Sequence, residues 1–483
     1  MAFNSLAFLI FFTLFFFIYW RLNKKVKLQN LFLLTGSYLF YAWADWRFLS
    51  LLAASSLLNY FLGISIEKAP TISRKKVILI IGLCCSLGIL FFFKYYNFFI
   101  ESFATFFELF NIKISHTALN IIAPLGISFY TFRIISYLLD IYFNKIKASR
   151  EWLVFFNYVS FFPAVISGPI DKSKTFIPQL KESRKFDFVQ AADGSRQILW
   201  GLFKKAVIAD NCAVITNDIF STYHLMPAST LWIGIFLYTI QIYADFSGYS
   251  DMAIGISQLM GFNITRNFDY PLFSQNIAEF WRKWHISLTS WLTEYVFTPL
   301  NIAFRDYNKL GLILAVLINF TIIGMWHGPN WTYVLFGFLH GCYFIPLILN
   351  DTMNKKKKIA KDRLLPSFRE FVNVTGTFFL VMLTFILFRS ESVSQASNYF
   401  KNLFSTSILT FPILATGKLN LLITLFFITV MMVTEWLQRT KEYGLQIDAI
   451  NNKAYRLLIY YTLIFLIILC GATEENQFIY FKF

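Results

Sequence analysis

Eleven stretches of this chain stay apolar for close to the length of a membrane span, near 5–20, 30–46, 48–66, 77–100, 118–143, 230–247, 309–326, 331–350, 371–389, 419–437 and 456–472. A helix rises 1.5 Å per residue, so about 20 apolar residues cross the hydrocarbon of a bilayer. Within lipid every backbone N–H and C=O must be paired inside the chain, and for runs of this length that leaves the α-helix. The sequence therefore predicts an all-α polytopic membrane protein with about eleven transmembrane helices. Weaker or interrupted runs at 152–167, 196–220 and 251–300 predict re-entrant and interfacial helices. The composition agrees, because 14% charged residues cannot cover a water-facing surface, where about 25% is usual. No internal repeat is visible. We read one membrane domain, 1–483, with N-terminal helices in 1–117, a core in 118–350 and C-terminal helices in 351–483.

The charges sort along the chain. Lys and Arg outnumber Asp and Glu by 43 to 27. They gather in Arg21–Lys27, Lys68–Lys76, Lys145–Arg150, Lys172–Lys185, Lys355–Arg369 and Arg439–Arg456. Segments 101–117, 390–418 and 473–483 hold only Lys113, Lys401, Lys418 and Lys482. By the positive-inside rule the basic loops are cytoplasmic, the N-terminus is outside, and the excess charge faces anionic lipid of the inner membrane rather than nucleic acid. Met1–Leu6 lacks a basic n-region, so no cleavable signal peptide is expected. Segment 152–167 has basic loops on both sides and should enter the membrane and return. Phe161-Phe162-Pro163 and Ser167-Gly168-Pro169 interrupt it, as Pro124-Leu125-Gly126 interrupts the fifth run. Broken backbone at membrane depth needs protein or a water-filled cavity around it, so an internal cavity is expected.

Trp281, Trp284, Leu288, Trp291 and Tyr295 repeat at intervals of three and four, which predicts one amphipathic helix over Ala278–Pro299, at the interface or along a cavity wall. Such a stripe serves packing or substrate binding. Nucleotide-binding glycine loops, a G-x-S-x-G elbow, an Asp-x-Asp pair and metal-ligand spacing are absent from the sequence. Cys84, Cys85, Cys212, Cys342 and Cys470 read as small hydrophobes. His116 and His224 fall in polar connecting segments, and His340, between Gly337 and Gly341, reads as a structural hydrogen-bonding residue or a cavity-lining one. His327 ends an apolar run in Met325-Trp326-His327-Gly328-Pro329-Asn330-Trp331. A polar group there is costly and tends to be functional. Burial disfavours the imidazolium, so His327 should be neutral and able to accept a proton; it is either a catalytic base or a satisfied buried histidine. His285 follows Trp284 on the aromatic helix. Tyr243-Ala244-Asp245-Phe246-Ser247-Gly248-Tyr249-Ser250-Asp251 is a polar cluster that either positions a ligand or histidine or caps a broken helix. Arg133 and Asp140 share one helix and can neutralise each other.

In these same segments the chain resembles the membrane-bound O-acyltransferases, and within them the bacterial branch of alginate O-acetylation proteins, peptidoglycan O-acetyltransferases and teichoic-acid D-alanylation proteins. The resemblance runs through Pro124–Phe129, Ser160–Pro169, Gly201–Lys205 with Ala209–Asn211, Asp245–Asp251, Glu279–Ser287, Trp326-His327-Gly328 and the tail Phe478–Phe483. It implies a ring of helices around a tunnel, with His327 the catalytic residue and His285 a second one. Trp326, Trp281, Trp284, Asp245, Ser247 and Tyr249 are expected near substrate or tunnel. The resemblance also implies an acyl group, acetyl for most of the branch, taken from a cytoplasmic thioester such as acetyl-CoA or an acyl carrier. It is delivered to a polysaccharide outside with help from a secreted or membrane-anchored esterase-like transferase; no bound cofactor or metal is implied.

Two positions depart from the family pattern. Pro329-Asn330 follows Trp-His-Gly where relatives often have a small residue, and Asn301-Ile302 follows Thr298-Pro299-Leu300 where many carry Gly-Gly. Both bear on the acceptor side. The competing readings are a transporter or export channel for a polysaccharide or acyl precursor, which broken helices and a polar centre would suit, and a scaffold that recruits a secreted transferase.

Overall fold

A computed structural model describes residues 1–113, 118–355, 358–472 and 478–479, and among them every regular element is helical. Each of the eleven apolar runs falls on a helix. Among the described residues, seven stretches are long and apolar enough to cross a membrane: Val26–Lys68, Ile72–Glu108, Arg305–His327, Trp331–Leu349, Phe368–Arg389, Lys418–Leu437 and Lys453–Cys470. The first joins two 20-residue helices, Val26–Asp45 and Leu49–Lys68, through a 3₁₀ turn at Trp46–Phe48, and the second bends through a π turn at Phe91–Tyr95. Leu6–Arg21 is a shorter apolar helix. The protein is a multi-pass membrane protein. Its internal packing divides into two units, residues 1–191 with 257–265, and residues 192–256 with 266–483.

In the first unit the interrupted segments are present. The run at 118–143 becomes helical only at Ile127, entered through Gly126 at φ 73, where the Val165 carbonyl and Ile166 backbone leave no room for a Cβ. Segment 152–167 forms helix Trp152–Ser160, breaks at Phe161, and makes one further turn, Phe162–Val165. Side chains supply partners for this freed backbone. The Tyr41 hydroxyl donates to the Leu125 carbonyl at 3.0 Å, and the Phe162 N–H donates to Ser37 Oγ at 3.2 Å. The buried Arg133 guanidinium donates to the carbonyls of Tyr158 at 3.1 Å and Pro169 at 2.9 Å.

This overturns the expected pairing on that helix. Arg133 lies 4.0 Å from Asp171, while Asp140 lies 3.8 Å from Lys145 and accepts from Ser173. Residues seven apart share a helix face but sit two turns apart, too far for one ion pair when each has a nearer partner.

The second unit is organised on Ala228–Leu259, a helix of 32 residues that spans about 48 Å. It crosses Phe188–Leu202 so closely that Gly201 and Gly248 meet backbone to backbone, with Gly255 on Gly194 one seam further along. Small residues permit such approach where no hydrophobic effect drives helices together. Just beyond the crossing the helix widens into a π segment, Phe203–Ala209, which carries Lys204 and Lys205. The sequence expectation of a break near Asp245 does not hold, since the helix runs through it unbroken.

The aromatic stripe is not one helix either. Ile277–Lys283 ends at Trp284, His285 takes a left-handed conformation (φ 46, ψ 53), and Ile286–Leu292 continues through a π segment, Thr293–Phe297, into Thr298–Ala303. Trp281, Trp284, Leu288 and Trp291 remain buried, so the periodic stripe predicted burial correctly and continuity wrongly.

Candidate functional site

His327 is the last residue of helix Asn308–His327, and Trp331–Leu349 packs directly back on it. The return is tight because Gly324 lies against the Tyr333 carbonyl and the Gly337 backbone, leaving no room for a Cβ. Gly328 is extended, with the Tyr333 ring beside it. Asn330 accepts from the Thr332 N–H at 3.0 Å as the cap of the second helix, and donates to the Glu391 carbonyl at 2.7 Å. The unusual Pro329-Asn330 thus builds a rigid hairpin behind the histidine. The His327 ring is buried among Trp326, Phe388 and Phe336, with centroids 4.9, 4.9 and 6.0 Å away.

Trp326 brings the second histidine into the same place. His285 is fully buried, and its ring lies 5.6 Å from the Trp326 indole, so both imidazoles pack against one indole. Phe246 meets His285 edge-on at 4.6 Å. The ring's tautomer follows from Asn267. Asn267 Oδ1 accepts the Ser287 N–H at 3.2 Å, and its Nδ2 donates to Ser250 Oγ at 3.2 Å. That orientation makes Oδ1 the acceptor facing His285 Nδ1 at 3.3 Å, so Nδ1 carries the proton and Nε2 holds the ring's lone pair. The Ile286 N–H also donates to the Asn267 carbonyl at 2.9 Å, fixing the strained turn.

Asn267 is therefore a positioning residue. Asn267→Ala is expected to lower any activity that uses His285 about 10–100-fold, the effect seen when a metal-bound histidine loses its orienting partner, with substrate affinity little changed. Asn267→Asp keeps an acceptor for Nδ1–H and should restore most of the rate. Equal losses in both variants would mean that Asn267 only holds the loop.

His340 has its nitrogens engaged. Trp281 Nε1–H donates to its Nδ1 at 3.1 Å, so its Nε2 carries the proton and donates to Thr384 Oγ1 at 3.0 Å, which donates onward to the Val381 carbonyl at 2.8 Å. The structural reading of His340 holds, and Trp281 is spent on it. Trp284 packs among Phe268, Phe280 and Phe385, with centroids 5.1, 5.2 and 5.9 Å away. His224 lies in a 3₁₀ turn beside Tyr223; His116 lies outside the described residues.

The Asp245–Asp251 cluster divides between two edges of its helix. Phe246 and Ser250, four apart, face His285 and Asn267. Ser247 and Asp251, also four apart, face Lys204, whose Nζ lies 2.9 Å from Ser247 Oγ and 2.7 Å from Asp251 Oδ2. Asp245 pairs with Lys205 at 2.9 Å and accepts the Ile479 N–H at 2.8 Å. Lys205 also reaches Asp210 at 2.8 Å, and Tyr249 stacks on Phe478 at 4.5 Å. On Lys418–Leu437, buried Glu435 accepts from the Tyr243 hydroxyl at 2.7 Å. Asp245 and Ser247 thus bind the core together, while Phe246 and Ser250 of the same cluster reach the histidine, with Asn267, which sequence reasoning passed over. The spacing of four was legible as a signal; Asn267 had none.

The family model for the membrane-bound O-acyltransferases matches residues 4–390. The chain is 35% identical over 411 residues to a probable alginate O-acetylase of Azotobacter vinelandii, covering 84% of this chain and 78% of that relative. It is 34% identical over 345 residues to a peptidoglycan O-acetyltransferase of Helicobacter pylori, with 66% and 64% covered. It is 31% identical over 325 residues to a teichoic acid D-alanyltransferase of Streptococcus thermophilus, with 60% and 75% covered.

Proposed function

This chain belongs to the membrane-bound O-acyltransferase family and is an O-acyltransferase, and we propose that it moves an acetyl group from a cytoplasmic thioester toward hydroxyls of a cell-surface polysaccharide. The observation that carries the reading is the pair of buried histidines, His327 and His285, both packed against the Trp326 indole. A neutral imidazole excluded from water can take a proton from a hydroxyl, a contribution typically worth 10²–10⁴-fold.

In the proposed step the acceptor oxygen attacks the thioester carbonyl as His327 removes its proton. The C–S bond then breaks, and the leaving thiolate takes the proton from the His327 imidazolium. His285 orients the bound substrate, its Nε2 accepting a hydrogen bond. The alginate and peptidoglycan relatives support a polysaccharide acceptor, with an esterase-like transferase outside completing delivery. The basic loops support an inner-membrane protein with its N-terminus outside and phosphate-bearing donors approaching from the cytoplasm.

The test feeds isotope-labelled acetyl thioester to membrane vesicles containing the protein and follows ester-linked label on surface glycan by mass spectrometry. Label that appears only when the protein is present supports the reading. Acceptor that crosses the membrane without acquiring label would instead support the transporter.

A further inference from the structure

Away from the histidines, a cavity of about 400 Å³ opens between the helices Phe188–Leu202 and Lys453–Cys470. Its walls follow helical periodicity. Ala192, Ser195, Arg196 and Leu199 line one side, and Lys453, Arg456, Leu457 and Tyr460 the other; each set repeats at three, four and seven, so each is one helix face. The second helix lies beyond the family match, which ends at residue 390.

The cations here differ in what they already hold. Arg196 is committed to Asp193 at 3.0 Å and to Asp448 at 2.5 Å, and Asp193 also accepts from the Tyr443 hydroxyl at 2.5 Å. Lys453 and Arg456, one turn apart, form no ion pair among the described residues. The cavity therefore presents two uncommitted positive charges, and its remaining wall is leucine, alanine and the Tyr460 ring.

The setting decides what kind of anion fits. Lys453–Cys470 is apolar enough to cross the membrane yet is barely buried. Leu458, Tyr461, Ile464, Phe465 and Ile468 are exposed along it and need hydrocarbon against them. A ligand with a phosphate at one end and acyl chains at the other satisfies both features at once. Basic pockets between membrane helices are the kind of site that holds anionic lipid headgroups, and Lys453 stands in the Arg439–Arg456 loop that the charge pattern assigns to the cytoplasm.

We propose that this cavity is a binding site for an anionic phospholipid, its phosphodiester held by Lys453 and Arg456 and its acyl chains laid along Leu457 and the exposed face of the helix. The site is independent of the acyl-transfer reading. The lipid staples a helix that has few protein contacts of its own to the rest of its unit.

Native mass spectrometry of the full chain in detergent tests this, with added phosphatidylglycerol, with phosphatidylcholine of the same acyl chains, and with a large excess of inorganic pyrophosphate. The intact protein should retain one phosphatidylglycerol in preference to phosphatidylcholine, and pyrophosphate should not displace it. Lys453→Gln with Arg456→Gln should weaken retention about 30-fold, each charge near the surface contributing about fivefold. Equal retention of both lipids by the unaltered protein would overturn the proposal whether or not the variant folds. So would unchanged phosphatidylglycerol retention in the double variant. Displacement by pyrophosphate would overturn it in favour of a site for soluble phosphates.

Discussion

His327→Ala is expected to reduce O-acylation of the surface glycan by about 10³-fold, within the range that positioned proton transfer supplies, while the protein still accumulates in the membrane. The expectation rests on where the ring sits. It closes a helix at a glycine-packed hairpin, is held among Trp326, Phe336 and Phe388, and shares the Trp326 indole with His285. Truncation to alanine also removes a buried ring, so His327→Gln, closer in size, separates chemistry from packing. Both variants should lose activity, and the Gln variant should keep its melting temperature in detergent. Ester content of extracted glycan, normalised to protein in the membrane, is the measurement. A His327→Gln protein with full activity would remove His327 from the mechanism and return the question to His285.

Lys205→Met should unfold much of the second unit. Lys205 lies 2.8 Å from Asp210 and 2.9 Å from Asp245, and all three are buried. Removing the cation leaves two carboxylates facing each other away from water. Breaking a buried pair by deleting one partner costs about 3–5 kcal/mol, a large share of the roughly 5–15 kcal/mol that holds an ordinary domain together. The variant should be recovered poorly and should melt well below the parent in detergent. Adding Asp210→Asn and Asp245→Asn removes the stranded charges and should restore most of the loss. If the single variant melts like the parent, the network contributes little and these ions are better explained by function. Melting temperature in detergent separates the two predictions, since His327→Gln loses activity in a folded protein while Lys205→Met loses activity because its unit unfolds.

Most of the helices were legible because membrane helices advertise themselves by length and greasiness, and the Phe161 break and Gly126 entry were legible from proline and glycine. His327 stood out for the same reason that it is informative, as a polar group ending a long apolar run. Partners across sequence were not legible. Lys204 and Lys205 stood in the Gly201–Lys205 stretch of the resemblance with no partner assigned, and a glycine crossing and a π segment turn them inward to Ser247, Asp251 and Asp245. Asn267, in an irregular stretch with no periodicity, became visible only when its amide was found between His285, Ser287 and Ser250. The break in the aromatic stripe was hidden as well. Period alone reports which face is buried, and the left-handed turn at His285 leaves that face buried while redirecting the chain.

That turn has a longer consequence. At φ 46 an L side chain costs the backbone about 1 kcal/mol relative to glycine, so the local conformation exerts a constant pull toward glycine or asparagine at position 285. The fully buried ring, packed on Phe246 and Trp326 and bonded to Asn267, outweighs that cost. His285→Gly should therefore relieve the turn and still melt below the parent, because the cavity left by the ring costs more than the strain it removes.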